Sequence, residues 1–362
     1  MEKIINNGNI DTPETMIDIK AYGYDYGEPA PPGLLPGRVT ASHRDRYELI
    51  CSAGAMSGRL KTGVYYGAGG EVFPTTGDYV YISPIDEKEA LIVRTLPRKS
   101  QFIRRDPYVG DQVVASNFDY VFIMTSLNRD FNVRRIERYL ALARQSGATP
   151  VVALTKADLA EDIEELCTRA RAASLGAEVI PISVYSGFGL ERLNAFMTPG
   201  KTMVFLGMSG VGKSSLLNAL MGREVMTVNA IREDDSRGRH TTTHRQLFML
   251  PSGAMVIDTP GMRSLGMWDA EEGVDATFAE VEAFFGSCRF KDCRHENEPG
   301  CAVMEAIESG ALDASRWESY KSLRREALYA IDKTAAMKEK YARNKAIAKW
   351  SRQRKKSGAI KY

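Results

Sequence analysis

Short apolar runs separated by turn residues dominate the N-terminal third of the chain. A polar and irregular leader over residues 1–35 comes before them, and a linker over residues 101–116 comes after them. The basic stretch 98–105, which leads into this linker, either contacts RNA or is a solvated connection. The runs are 37–41, 47–51, 62–66, 78–82 and 90–94. Five short strands joined by turns predict a small OB-like β-barrel over residues 36–100.

A different pattern begins at residue 117, where apolar runs alternate with segments of helical periodicity. The predicted strands are 120–124, 150–154, 178–182, 203–206 and 254–258, and the predicted helices are 133–146, 160–175 and 216–220. Strands that alternate with helices predict a parallel sheet with crossover helices. We therefore expect a multidomain protein with a central α/β domain over residues 117–270.

The stretch Gly207–Ser215, GMSGVGKSS, fits the phosphate-binding loop pattern G-x-x-x-x-G-K-[ST] and lies between a predicted strand and a predicted helix. Backbone N–H groups at a helix N-terminus bind phosphate, Lys213 would reach the β- and γ-phosphates, and Ser214 would hold Mg²⁺. A chance glycine-rich turn is the alternative, and the flanking segments argue against it. The predicted phosphate-binding residues are Gly207, Met208, Ser209, Gly210, Val211, Gly212, Lys213, Ser214 and Ser215.

A base-binding motif follows the 150–154 strand. Thr155, Lys156, Ala157 and Asp158 are close to the guanine signature [NT]-K-x-D. Asp158 would accept hydrogen bonds from N1–H and N2–H₂ of guanine, for which adenine has no matching donors. Ligands of open α/β sheets bind at the carboxyl ends of strands, which favours a GTP site over the alternative that Asp158 caps a helix. The loop that begins at Ser183 would supply a second contact with the base.

Two further segments resemble nucleotide-sensing switches. Asp258 and Gly261, in the string Asp-Thr-Pro-Gly, would hold the Mg²⁺ water shell and contact the γ-phosphate. A threonine within 241–243, for which we take Thr242, would become ordered on Mg²⁺ when GTP is bound. Met262 cannot orient a water molecule, so we hypothesise that His240 or His244 does so. The alternative is that both histidines only pack or contact RNA.

The order of these motifs is permuted. In a typical GTPase the phosphate loop comes first and the base motif last, whereas here residues 155–158 precede Gly207. The same site forms if the usual chain ends are joined and the chain is opened elsewhere, because the termini of a domain often lie close together. The part of the chain that follows Gly261 is then attached directly to the switch that moves on hydrolysis.

Three of the five cysteines cluster with one histidine in the pattern C-x₄-C-x-H-x₅-C, formed by Cys288, Cys293, His295 and Cys301. Three thiolates and one imidazole at close spacing fit a closed zinc site, which would hold one structural ion per chain. A reactive thiol or a disulfide is the alternative. An apolar helical face between residues 317 and 331 completes a predicted helical zinc-binding domain over residues 271–335.

Charge is distributed unevenly along the 362 residues. Residues 333–362 contain eleven basic residues and one acid, so they carry +10 while the rest of the chain carries −8, for a net charge of +2. The basic tail, residues 336–362, indicates a polyanionic partner, although a solvated helix end has the same composition. No apolar run approaches membrane-spanning length, and residues 1–30 lack the basic segment followed by an apolar segment that marks a signal peptide. We therefore expect a cytoplasmic monomer with reduced thiols and no membrane partner.

Together these motifs resemble the RsgA (YjeQ) family of circularly permuted GTPases that depend on the small ribosomal subunit. The likeness covers about residues 37–330 and includes the strings at 126–132, 134–138 and 238–244. It implies slow GTP hydrolysis that is stimulated by the 30S subunit, a late step in assembly of that subunit, and contacts of the barrel and zinc domain with ribosomal RNA. Thr155 replaces the usual asparagine, which implies a slightly looser tie to the phosphate loop.

Two alternatives from other functional classes stay open. One is a regulatory GTPase without an RNA partner, against which the barrel and the basic tail argue. The other is an RNA-binding module whose nucleotide site only adds stability, against which the intact Lys213, Ser214 and Asp258 argue.

Overall fold

A computed structural model describes most of the chain. The described residues are 16–27, 29–43, 46–67, 71–106, 110–128, 131–226, 245–258, 274–275, 277–296 and 298–329. His240, Thr242, His244, Gly261 and the basic tail lie outside them. Within these ranges, no helix is long and apolar enough to cross a membrane.

The predicted five-stranded barrel is confirmed. Its strands are β1 (Leu35–Ser42), β2 (Tyr47–Cys51), β3 (Gly54–Leu60), β4 (Tyr79–Pro84) and β5 (Glu89–Thr95). Strand β1 pairs with both β2 and β4, and β3 runs parallel to β5, so the sheet closes in the order 1-2-3-5-4. Val39, Leu49, Ile82 and Ile92 fill the barrel interior.

One of the five strand predictions was wrong. Residues 62–66 contain a short helix, α1 (Thr62–Tyr65), and the third strand is Gly54–Leu60 instead. That strand is rich in small residues and so lacks the apolar alternation that marks the others. A Cβ atom at Gly58 would lie 2.6 Å from Leu49 Cδ1, so the missing side chain is what lets β3 pack closely over the core.

The predicted linker 101–116 is a β-hairpin. Strands β6 (Gln101–Asp106) and β7 (Gly110–Ser116) pair antiparallel as a separate two-stranded sheet. Phe102 stacks on Phe118 with ring centroids 4.8 Å apart, which anchors the hairpin to the α/β domain. The hairpin was missed because its basic residues and the register shift after Phe102 interrupt the alternation of polar and apolar positions.

The α/β domain contains the predicted parallel sheet, in the order β10-β9-β8-β11-β13, with β12 antiparallel beside β13. Its helices lie on opposite faces: α2 and α3 pack against side chains such as Ile123 and Val152, and α4 packs against Phe122 and Phe205. The strands are β8 (Tyr120–Ser126), β9 (Thr149–Thr155), β10 (Glu178–Pro181), β11 (Thr202–Gly207), β12 (Arg245–Met249) and β13 (Met255–Asp258). The helices are α2 (Val133–Gln145), α3 (Ile163–Ser174) and α4 (Lys213–Met221).

The barrel and the α/β domain share one hydrogen-bonded sheet of eleven strands. Strand β1 of the barrel pairs antiparallel with β12, with Ala41 opposite Gln246 and Ser42 opposite Arg245. The Thr76 hydroxyl of the barrel also donates to the carbonyl of Arg245 at 3.2 Å. The strand that follows the predicted first switch is therefore bonded directly to the barrel.

Arg38 joins three parts of the chain in the interior, where it is fully buried. Its guanidinium donates to Tyr22 O at 2.6 Å, and to Asn117 O and Thr202 Oγ1 at 2.9 Å each. It also lies 4.8 Å from the centre of the Tyr79 ring. The leader that we predicted to be irregular is ordered here, since residues 19–22 form a 3₁₀-helix whose last carbonyl accepts from Arg38.

The predicted C-terminal helical region packs on α2. It contains the short helices α5 (Ala279–Glu282) and α6 (Ala302–Glu308), and residues 314–329 are also helical. The Arg316 guanidinium donates to Glu137 of α2 at 2.6 Å in a largely buried ion pair, and it lies 4.2 Å from the Phe278 ring. This contact attaches the cysteine-bearing region to the α/β domain.

We expect Arg38→Met to destabilise the protein by about 3 kcal/mol, because the carbonyls of Tyr22 and Asn117 would lose buried donors. Denaturant unfolding at neutral pH measures this loss. Arg59→Met is the matched control, since Arg59 is half exposed and Glu89 is its only side-chain partner among the described residues, and it should change stability by less than about 0.5 kcal/mol. Equal stability of the two variants would contradict the structural importance of Arg38.

Candidate nucleotide-binding site and metal centre

The predicted phosphate loop lies between the end of β11 at Gly207 and the start of α4 at Lys213. Gly210 and Gly212 have φ values of 72° and 104°, in the left-handed region that favours glycine. A Cβ atom at Gly207 would lie 2.7 Å from Met124 O, so this position also excludes a side chain. The loop therefore has the backbone shape that its glycines predict.

The side chains of the phosphate loop differ in their exposure to solvent. Met208 and Ser209 are exposed, whereas Val211 is buried against the sheet. Lys213 Nζ donates to the carbonyls of Gly207 and Met208 at 2.7 Å each. Ser214 and Ser215 lie half-buried in the first turn of α4. The lysine ammonium thus lies beside the loop backbone, at the N-terminal end of the helix.

Thr155 connects the base motif to the phosphate loop. It is the buried last residue of β9, and its hydroxyl donates to the carbonyl of Val211 at 2.7 Å. The resemblance implied that a threonine at position 155 would weaken the connection to the phosphate loop. In the structure, this threonine is nevertheless hydrogen-bonded directly to that loop. Lys156 follows in the left-handed conformation with φ of 57°, which turns the chain toward Asp158.

Asp158 is oriented by a neighbouring loop. The buried Ser183 hydroxyl donates to its Oδ1 atom, and Ser183 Oγ in turn accepts from the backbone N–H of Ser186 at 3.2 Å. The helix-cap alternative is not what the structure contains, because it is Asp162 that caps α3, by accepting from Glu165 N at 2.9 Å. We did not predict this contact between the Ser183 side chain and Asp158, although the position of Ser183 two residues after the end of β10 was a usable signal.

These segments meet at one edge of the sheet. Gly207 is in register with Met124, and Thr155 is in register with Ser126, so β8, β9 and β11 end side by side. Asp258 ends β13, which runs parallel to β11. The structure thus brings the predicted phosphate loop, base motif and Asp258 to the carboxyl ends of parallel strands, where ligands of such sheets bind.

The four predicted metal ligands also come together. They are Cys288, Cys293, His295 and Cys301. Each offers one ligand atom, and these four atoms all lie within 4.8 Å of one another. His295 Nδ1 lies 3.4 Å from Cys288 Sγ and 3.5 Å from Cys301 Sγ. Tetrahedral zinc, with bonds of about 2.0–2.3 Å, separates its ligand atoms by about 3.5–3.8 Å, so the cluster is compatible with a zinc ion.

The surroundings of the histidine favour its neutral, metal-binding form. Phe285 stacks on the His295 ring with centroids 4.5 Å apart. Burial lowers the pKa of His295, and the nearby Glu298 carboxylate opposes this effect. A neutral imidazole with Nδ1 turned toward the thiols is what a metal site requires.

Comparison with known proteins decides the family. The model of the family described as RsgA GTPase matches residues 95–268. The small ribosomal subunit biogenesis GTPase RsgA 2 of Lactiplantibacillus plantarum is 45% identical over 300 residues, which cover 82% of this chain and 84% of that protein. The chain belongs to the RsgA GTPase family. The RsgA of Streptomyces coelicolor is 42% identical over 94% of this chain and 96% of its own.

Solved structures agree with this assignment to the RsgA family. YjeQ from Thermotoga maritima has a TM-score of 0.62 at 27% identity and covers 82% of this chain and 99% of its own. YloQ, described as a circularly permuted GTPase, has a TM-score of 0.60 at 25% identity and covers 81% of this chain and 95% of its own. The predicted permuted GTPase fold is therefore confirmed.

We expect Thr155→Val to weaken GTP binding about tenfold, because the nearly isosteric valine leaves the Val211 carbonyl without its donor. Titration with a fluorescent GTP analogue measures the change. Thr155→Ser keeps the hydroxyl and serves as the control, with binding close to that of the unmodified chain. Unchanged affinity in the valine variant would show that the bond does not support the phosphate loop.

We also expect the purified chain to carry one zinc ion and Cys293→Ser to carry less than half as much, because one of four ligands is lost. Metal analysis after gel filtration measures this content. Cys167→Ala is the control, because Cys167 is buried in the core of the α/β domain and does not belong to the four-residue cluster. A purified chain without stoichiometric metal would contradict the zinc assignment.

Proposed function

We propose that this chain hydrolyses GTP while bound to the small (30S) ribosomal subunit and acts in the late assembly of that subunit. The observation that carries the proposal is the bond between Thr155 and Val211. It joins a guanine motif to a phosphate loop in a chain whose relatives are named small ribosomal subunit biogenesis GTPases.

Base selection is assigned to Asp158, whose carboxylate would accept from the N1–H and N2–H₂ groups of guanine. Ser183 supports this role, because its hydroxyl holds one carboxylate oxygen in place before the base arrives. Lys156 would lie along the plane of the base. Ala157 donates its backbone N–H to Ile182 O at 3.1 Å and so keeps the two base-contacting loops together.

Phosphate binding is assigned to the backbone of Gly207–Ser215 and to Lys213. The ammonium would exchange its two carbonyl partners in the loop for the β- and γ-phosphates, which are the stronger, charged acceptors. Ser214 and Asp258 would hold Mg²⁺, which neutralises charge that develops on the phosphates. Thr242 and Gly261 are proposed as the groups that respond to the γ-phosphate.

Orientation of the attacking water is assigned to His240 or His244. Met262 follows the Asp-x-x-Gly string and has no group that can hold a water molecule. A histidine that is aligned only when ribosomal RNA docks would explain why hydrolysis depends on the subunit.

The other parts of the chain are proposed to hold the protein on ribosomal RNA. These are the barrel of residues 36–100, the zinc domain of residues 271–335 and the basic tail of residues 336–362, which flank the GTPase domain of residues 117–270 in the sequence. The zinc ion would be structural, since protein atoms fill all four positions. We propose that the protein acts as a cytoplasmic monomer.

GTP turnover with and without purified small ribosomal subunits tests this function, with ATP as the nucleotide control. We expect the subunits to raise GTP turnover by about tenfold or more and to leave ATP turnover unchanged. Lys213→Ala should abolish the stimulated reaction and controls for contaminating GTPases. If GTP binds but subunits add nothing, the ribosomal function is wrong and a regulatory GTPase without an RNA partner replaces it.

A further inference from the structure

A cavity of about 380 Å³ lies where the leader, the end of the barrel and the α/β domain meet. This volume is within the range of small-molecule sites. Each of the three parts contributes charged or aromatic side chains to the wall: Lys20, Tyr24 and Asp25 from the leader, Lys99 from the segment that leaves the barrel, and Asp119 and Lys201 from the α/β domain. We call it the junction cavity.

The junction cavity lies far from the nucleotide site. Asp119 directly precedes β8 and Lys201 directly precedes β11, so the cavity is at the amino ends of these parallel strands. The phosphate loop and the base motif are at the carboxyl ends. Strand β8 has seven residues, each of which rises about 3.3 Å, so about 20 Å separate the two sites. A ligand in the cavity would therefore not compete with GTP.

Direct contacts hold the walls of the cavity together. Gly23 has a φ value of 77°, and a Cβ atom there would lie 2.5 Å from Gly200 O and 2.8 Å from the Tyr79 hydroxyl. The same hydroxyl donates to Tyr22 O at 2.8 Å, and that carbonyl also accepts from Arg38. The leader is thus fixed against both other walls, so the cavity has a defined shape.

Two of the three lysines in the wall have no acidic partner. Lys201 Nζ donates to Asp119 Oδ1 at 2.8 Å, and the other oxygen of Asp119 accepts from the backbone N–H of Thr202 at 2.9 Å. Lys20 and Lys99, by contrast, form no ion pair with any residue that the structure describes. Two cations from different parts of the chain are therefore available for one anion, and lysine is a frequent ligand of phosphate.

An aromatic ring belongs to the same wall. Tyr24 lines the cavity but its hydroxyl is buried, so the ring is what this residue presents there. The ring is held by Tyr26 and Tyr79, whose ring centroids lie 5.2 and 5.7 Å away. A fixed aromatic ring together with cations is the arrangement that stacks on a nucleobase and binds its phosphate. Asp25, which is exposed, adds an acceptor for ribose hydroxyls.

We propose that the junction cavity binds one nucleoside phosphate unit, with its phosphate on Lys20 and Lys99 and its base on the Tyr24 ring. The site is additional to the GTP site and does not depend on the proposed ribosomal function. The unit comes either from a free nucleotide or from a strand of RNA. Once bound, it would connect the leader to the end of the barrel, because the two lysines belong to different parts of the chain.

Titration calorimetry of the full chain tests this site while a non-hydrolysable GTP analogue fills the GTP site. Adenosine monophosphate is the probe, because adenine lacks the donor pair that Asp158 would select. We expect this probe to bind, and we expect adenosine, which lacks the phosphate, to bind about tenfold more weakly or worse.

Lys20→Met and Lys99→Met should each weaken binding of adenosine monophosphate about tenfold, because each removes a charge-assisted hydrogen bond to the phosphate. Lys88→Met is the matched control, since Lys88 is exposed between β4 and β5 and lies outside the cavity wall. It should bind the probe like the unmodified chain. Basal GTP turnover should be unchanged in all three variants, which shows that they still fold.

Two substitutions at Tyr24 separate stacking from a structural role. Tyr24→Phe keeps the ring and should keep the affinity for adenosine monophosphate. Tyr24→Leu should lower that affinity about tenfold, because leucine cannot stack on a base. The probe should also raise the melting temperature of Tyr24→Phe more than that of Tyr24→Leu. Equal affinity in the two variants would overturn the assignment of a nucleobase to this wall.

A short single-stranded RNA of adenosines distinguishes the two sources of the unit. Tighter binding of this RNA than of adenosine monophosphate, weakened in both lysine variants, assigns the site to RNA. Equal or weaker binding of the RNA assigns it to a free nucleotide. The inference is overturned if neither probe binds saturably, or if the two lysine variants bind as the control does. Stimulation of GTP turnover by subunits tests the proposed function separately.

Discussion

The buried guanidinium of Arg38 is the interaction on which the rest of the architecture depends. It lies at the centre of the barrel's first strand and donates to the carbonyls of Tyr22 in the leader and of Asn117, the residue that follows β7. No hydrophobic contact could satisfy these carbonyls in the interior, where an unpaired polar group costs about 1–3 kcal/mol. The leader, the barrel and the α/β domain are therefore held in one arrangement.

That arrangement determines what the barrel contacts. With β1 fixed by Arg38, its far end at Ala41 and Ser42 pairs with β12. Strand β12 forms a hairpin with β13, and β13 ends at Asp258 beside the nucleotide site. A force applied to the barrel by a bound subunit would reach the nucleotide site through two hydrogen-bonded strand pairs. This short route is how the proposed stimulation of GTP hydrolysis by the subunit would act on the nucleotide site.

Local chemistry explains which features could be predicted from the sequence. The phosphate loop, the base motif and the metal cluster are each marked by a combination of residue types and spacings that is rare outside such sites. In the structure, the residues of each set lie together. The third barrel strand and the β6–β7 hairpin were missed because glycines and basic residues hide their alternation. Arg38 could not be predicted, because its acceptors at residues 22, 117 and 202 become neighbours only after the chain has folded.

Hydrogen exchange of the folded protein under increasing denaturant tests the central claim that the barrel and the nucleotide sheet form one folded frame. We expect amides of β1 and β12 to open with the same free energy as those of β8 and β11, in a single cooperative transition. Separate opening of the barrel, with β1 exchanging while β8 and β11 stay protected, would contradict the account. The barrel would then be an independent module, and the subunit would have to act on the nucleotide site by another route.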